Sequence, residues 1–168
     1  KFARAIPLAE AVLATQQRLL GSNNLEVADS LNSLGELYHS TGMFKRAFPL
    51  FQQALKVREK FQGKEHADVL RTQTNIADLL ARSGKLEAAQ KLFEKCIELE
   101  IRIKGPETAG IAANLESIGF IHQEFGEYEK AVDFMKRSLA MRQKTIGGEH
   151  RNVALGMSNL AVAYEASG

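Results

Sequence analysis

A single cysteine, Cys96, in 168 residues excludes an internal disulfide framework and a CxxC metal site. A reducing, cytoplasm-like compartment fits that usage best. No apolar run reaches the roughly 18 residues that span a bilayer, and the N-terminus carries no charged-then-apolar export signal, so the sequence reads as soluble. No two of the four histidines share a helix at i, i+4, the usual zinc spacing. A phosphate-binding loop and a dinucleotide glycine fingerprint are also absent. These absences leave a catalytic reading without residues, and no cofactor is expected. A net charge of +2 with a pI near 8.7 is too balanced to imply nucleic acid. What is present, 45% hydrophobic and 25% charged residues, suffices for an ordinary core built as one domain or one repeat array.

Glycines recur every 42 residues, at Gly42, Gly84, Gly126 and Gly168 and again at Gly21, Gly63, Gly105 and Gly147. Aligned on that period without gaps, the chain reads as helix B over 1–20, helix A/B pairs over 25–62, 67–104 and 109–146, and a last helix A over 151–167. Both kinds of segment are amphipathic; Phe44, Ala47, Phe48, Phe51, Ala54 and Leu55 repeat at helical spacing in one helix B. The first glycine series is placed to end helix A in a left-handed cap, and the second ends helix B. Pro7 and Pro49 share a helix B column, which places the start of that helix only a few residues earlier. One column holds Ala5, Ala47, Ala89 and Ala131, another Gly35, Ala77, Gly119 and Ala161, and small side chains there allow helix axes to approach to about 8 Å.

The series Leu34-Gly35, Tyr38, Gly42, Phe44 and Ala47 resembles the tetratricopeptide repeat across the whole chain. The 42-residue length, with Leu31-Asn32-Ser33-Leu34-Gly35, Ser158-Asn159-Leu160-Ala161 and a G-x-E-H-x-x-V joint, is similar to the kinesin light chain subtype. The resemblance implies an all-α, right-handed superhelical solenoid of antiparallel helix pairs, with helices A lining the inner surface and helices B the outer.

Two Glu-His pairs, Glu65-His66 and Glu149-His150, invite an acid/base reading. They occupy the columns of Asn23-Asn24 and Glu107-Thr108, between helix B and the next helix A. Asn, Thr and His can all accept from free N–H groups at a helix start, so a structural joint explains all four sequences. Cys96 falls in the small-residue column of Ala54 and Ser138 and reads as a packed thiol. His122 replaces the tyrosine of Tyr38 and Tyr164 and reads as a core residue with one satisfied nitrogen.

The resemblance also assigns faces. Helix A segments hold Arg71, Arg82 and Arg151 against eight carboxylates, and the remaining Lys and Arg lie on helix B or the loop after it, so an acidic inner and a basic outer surface are expected. The groove columns carried over are Asp29, Asn32, Ser33, Glu36, His39 and Ser40; then Arg71, Thr74, Asn75, Asp78 and Arg82; then Glu116, Ser117, Phe120, Gln123 and Glu124; then Ser158, Asn159, Val162 and Glu165. Asn75 and Asn159 suit a ligand's peptide groups, and Phe120 is the candidate anchor. The chaperone-type clamp for a C-terminal carboxylate is missing, because Glu36, Asp78, Phe120 and Val162 stand where it needs asparagine. The expected role is a non-catalytic adaptor that holds a basic or mixed-charge peptide of another protein. Two rivals are end-to-end self-association through Phe2, Leu8, Leu160 and Tyr164, and anionic surface binding by Lys45, Lys56, Lys60, Lys95, Lys136 and Arg137.

Overall fold

The structure, a computed structural model, describes the backbone of residues 2–168 and the side chains of residues 5–168. The side chain of Phe2, one of the expected end residues, lies outside the described residues. Regular structure among them is entirely helical: α1 (Phe2–Leu20), α2 (Leu25–Ser40), α3 (Phe44–Gln62), α4 (Ala67–Arg82), α5 (Leu86–Lys104), α6 (Ala109–Glu124), α7 (Tyr128–Ile146) and α8 (Arg151–Ser167). The chain forms two compact units, Lys1–Gly84 and Lys85–Gly168.

In the first unit α1, α2, α3 and α4 pack in chain order. The tightest approach is α2 on α3, where a Cβ placed on Gly35 would stand 2.7 Å from the Phe51 ring. Glycine at that position therefore lets the phenyl ring pack directly against the α2 backbone. Ala47, Phe51 and Ala54 on α3 are completely buried against this seam. A fully buried phenylalanine contributes roughly 2–3 kcal/mol.

The second unit repeats the scheme with α5 to α8. Ala89, Phe93 and Cys96 on α5 are buried to 1% exposure or less, which makes Cys96 the packed thiol its column suggests. Met135 takes the place of the phenylalanine on α7 and lies against Gly119, and Val132, Met135, Ala163 and Leu160 form the core beneath α8. Ala161, by contrast, is exposed on α8.

Helix ends follow from residue chemistry. Gly42 adopts φ 76, and the Met43 N–H returns to the Tyr38 carbonyl at 2.8 Å, closing α2 with a six-residue loop. Gly63 ends α3 differently, at φ 83 and ψ 164, in a region that essentially only glycine enters. Pro49 corrects the expectation of a first-turn proline. It is the sixth residue of a helix that begins at Phe44, so the Lys45 carbonyl forfeits a helical N–H donor on the exposed side of α3, and the helix continues unbroken.

Candidate functional site

The Glu-His pairs come first, because they decide between chemistry and architecture. Asn24, His66, Thr108 and His150 are the N-caps of α2, α4, α6 and α8. The Glu26 N–H donates to Asn24 Oδ1 (2.8 Å), the Asp68 N–H to His66 Nδ1 (3.1 Å), the Ile111 N–H to Thr108 Oγ1 (3.0 Å) and the Asn152 N–H to His150 Nδ1 (3.1 Å). Side chains of three kinds perform one task at four positions, and the imidazoles act as cap acceptors. His122 is buried, donates from Nδ1 to Glu127 Oε2 at 2.6 Å and stacks on Phe134 at 5.1 Å. Lys130 and then His122 hold the partly exposed Glu127 carboxyl below its usual range. Among the described residues no group of three metal-ligating side chains occurs, and no helix is long and apolar enough to cross a membrane.

The helix A faces are ordered by side chains that bridge successive A helices. In the first unit the Asn75 amide on α4 donates to Glu36 Oε1 (2.9 Å) and Asn32 Oδ1 (3.3 Å) on α2, and the Asn32 amide donates to the same Glu36 oxygen at 2.7 Å. Asn32 is only 3% exposed, so it braces this face from below. Arg71 is exposed and bonds Asp68 at 3.0 Å, with Asp29 at 4.0 Å. Burial pushes the Asp68 carboxyl up, but the Gln62 hydrogen bond, Arg58 and Arg71 outweigh it and set it below its usual value. His39 lies 3.1 Å from Asp78, and its pKa is lowered by burial against the pull of that carboxylate. Ser33 is exposed, and the exposed Arg82 caps the Phe44 ring at 5.5 Å.

In the second unit Asn159 on α8 donates to Glu116 Oε1 on α6 at 2.9 Å, while Ser117 beside it is half-buried. Phe120 is 43% exposed, with much of its ring left open to solvent.

One functional column escaped the sequence reading. Gln16, Arg58, Glu100 and Arg142 are one period apart on helices B, and each reaches the neighbouring helix A. Ser30 donates to Gln16 at 2.5 Å. Arg58 is 1% exposed and donates to Thr72 Oγ1 (2.5 Å), the Asp68 carbonyl (3.2 Å) and Asp29 Oδ1 (2.6 Å). Arg142 donates to the Asn152 carbonyl (3.1 Å) and Glu116 Oε2 (2.5 Å). Glu100, 4% exposed, accepts from Thr108 (2.9 Å) and lies 3.4 Å from Lys104. The expected division into acidic inner and basic outer surfaces is thereby corrected: two helix B arginines cross the layer and neutralise the inner carboxylates Asp29 and Glu116. Repetition of long polar side chains in an otherwise apolar stripe was the available signal.

The remaining outer cations, Lys45, Lys56, Lys60, Lys95, Lys136 and Arg137, are exposed; Lys60 covers Phe61 at 5.2 Å, and Arg137 pairs with Asp133 at 3.6 Å. Of the expected end residues, Leu8 is 69% and Tyr164 46% exposed, while Leu160 is partly buried.

The family profile for the tetratricopeptide repeat matches residues 1–60, 45–102 and 110–168. Among solved structures, a kinesin light chain protein of nearly identical TPR-like repeats from Podosopora anserina is 25% identical, with a TM-score of 0.79 over 99% of this chain and 79% of that one. BtubC (BKLC) from P. vanneervenii is 22% identical, with a TM-score of 0.83 over 99% of this chain and 66% of that one. A Rap protein complexed with competence and sporulation factor is 18% identical, with a TM-score of 0.78 over 97% of this chain and 43% of that one. No curated protein sequence matches the chain. The chain belongs to the tetratricopeptide repeat family, and its fold is the all-α repeat superhelix, commonly a protein-interaction module.

Proposed function

We propose that this tetratricopeptide repeat chain is a non-catalytic adaptor whose helix A faces bind a peptide segment of another protein, of basic or mixed charge. The observation that carries the reading is the exposed ring of Phe120. A bulky aromatic left open beside the Asn159–Glu116 bridge is the kind of group that anchors an incoming chain. In the second unit the backbone of a bound peptide would find a further partner in the side-chain carbonyl of Asn159, whose amide already donates to Glu116; on the first unit's own face Asn75, whose amide donates to Glu36, offers the same group. Arg71, Arg82 and Asp78 border the same face in the first unit. A fold neighbour, the Rap protein, is solved with competence and sporulation factor bound, which is consistent with a repeat of this fold holding another molecule.

The test is a peptide-array screen with the wild type and Phe120→Ala. Truncation of an anchoring aromatic costs about 2 kcal/mol or more, a loss of roughly thirtyfold in affinity. Unchanged hits with the variant exclude the helix A face as the binding surface, and light scattering that grows with concentration would point to self-association instead.

A further inference from the structure

We infer that the helix A face of the second unit sets the ligand's chemistry, selecting a segment in which a bulky apolar side chain has Lys or Arg close beside it. The inference rests on the peptide-binding reading and names what that peptide must carry.

The 42-residue period supplies an internal control. At the positions where the first unit has Asp29 and Arg71, the second has Ala113 and Leu155; where the first has Glu36 and Asp78, the second has Phe120 and Val162. Four charged positions have become four apolar ones. Their exposure is substantial, 43% for Phe120, 53% for Leu155 and 58% for Val162. Leu155, Asn159 and Val162 fall at i, i+4 and i+7 on one face of α8, and Glu116, Phe120 and Glu124 at i, i+4 and i+8 on one face of α6. The hydrogen bond from Asn159 to Glu116 sets those two faces side by side, so the apolar groups belong to one surface.

Charge decides what covers it. In the first unit the face is electrostatically closed: Asp29 is bonded by Arg58, Glu36 by Asn32 and Asn75, and Asp78 lies beside His39. In the second, Glu116 is held by Arg142 and Asn159, but the exposed Glu124 and Glu165 have no hydrogen-bond or ion-pair partner among the described residues. They stand about one turn beyond Phe120 and Val162, at i+4 and i+3. Between its caps α6 has no lysine or arginine, and α8 has only Arg151 in its first turn. An anionic lipid surface or an acidic peptide would find only Arg151, at the start of α8, to pair with and two unpaired carboxylates to oppose it. An apolar side chain with a cation beside it buries the patch and answers both charges.

The probe is a synthetic peptide library with one fixed Phe or Leu and all residues allowed at the flanking positions, screened against the full chain and followed by fluorescence anisotropy at two salt concentrations. Lys and Arg should be enriched beside the fixed residue. The double variant Glu124→Gln, Glu165→Gln should bind the enriched peptides about fivefold more weakly with a flatter salt dependence, while Glu98→Gln, an exposed carboxylate on α5 away from the helix A faces, should stay within about twofold of wild type. All substituted side chains are at least half-exposed or partly exposed and leave the cores alone. Hits that lose binding with Phe120→Ala but show no basic preference, or are indifferent to the double variant, overturn this inference and leave the adaptor reading standing. Hits indifferent to Phe120→Ala overturn both.

Discussion

In the first unit Arg58 leaves α3 and ends among oxygen acceptors, namely Asp29, Thr72 and the Asp68 carbonyl; in the second, the same step along the chain is taken by Glu100, which meets the donors Thr108 and Lys104. The surroundings change with it. Gly110 stands one period after Asp68, and a Cβ there would lie 2.3 Å from a Glu100 oxygen. Repetition thus fixes where a buried polar group must sit, while its sign is free as long as the facing helix start is rewritten to match. The same freedom shows on the inner face, polar and self-satisfied in the first unit, apolar with unpaired carboxylates in the second.

The largest expected effect breaks this comparison from the first unit. Arg58→Ala should cost about 3–5 kcal/mol in denaturant unfolding, since it empties the site of a large, fully buried side chain and removes its hydrogen bonds to Thr72, Asp29 and the Asp68 carbonyl. A loss under about 1 kcal/mol would mean that the crossing arginine is dispensable. Next, Glu100→Arg gives this position the sign of Arg58 and Arg142 on either side of it in the column, and about 3 kcal/mol of destabilisation is expected because donors would face donors. Adding Gly110→Asp restores the first unit's chemistry, and a double-mutant cycle should return a favourable coupling of about 1 kcal/mol. Smaller again, Asn24→Ala and His150→Ala each remove an N-cap and should each cost about 1 kcal/mol, equal in the two units if the joint is one device.

The smallest effect belongs to the first unit alone. Burial lowers the pKa of His39 from its ordinary 6.5, so the folded chain binds that proton less readily than the unfolded chain. The corresponding stability is fully present above pH 6.5 and is lost as pH falls from there toward the depressed folded value. Urea midpoints compared at neutral and mildly acidic pH should separate wild type from His39→Gln, whose profile lacks this component. Asp78→Asn, which removes the carboxylate favouring the charged ring, should deepen the acid loss.

Most of the fold was legible because its determinants are local. Glycine at a positive φ, small residues where helices touch and a capping acceptor before each helix A all register as columns, and His66 and His150 are read correctly as caps once Asn24 and Thr108 stand above and below them. The site was legible only as a stripe. Spacing places Asn32 on the helix A face but does not say that it lies under Glu36, because depth depends on how closely α2 and α4 approach. Charge assignment by helix failed at Arg58 and Arg142 for a related reason: an arginine side chain is long enough to cross from the helix that bears it to the opposite layer.

The alternating signs at Arg58, Glu100 and Arg142 have a consequence for how such a chain can evolve. Modules of equal length invite duplication, deletion and exchange, yet a module moved by one place would bring its buried ion to a neighbour prepared for the opposite one. Each junction therefore works as a keyed connector, and the order of the units is written into the interior of the molecule as well as into its backbone.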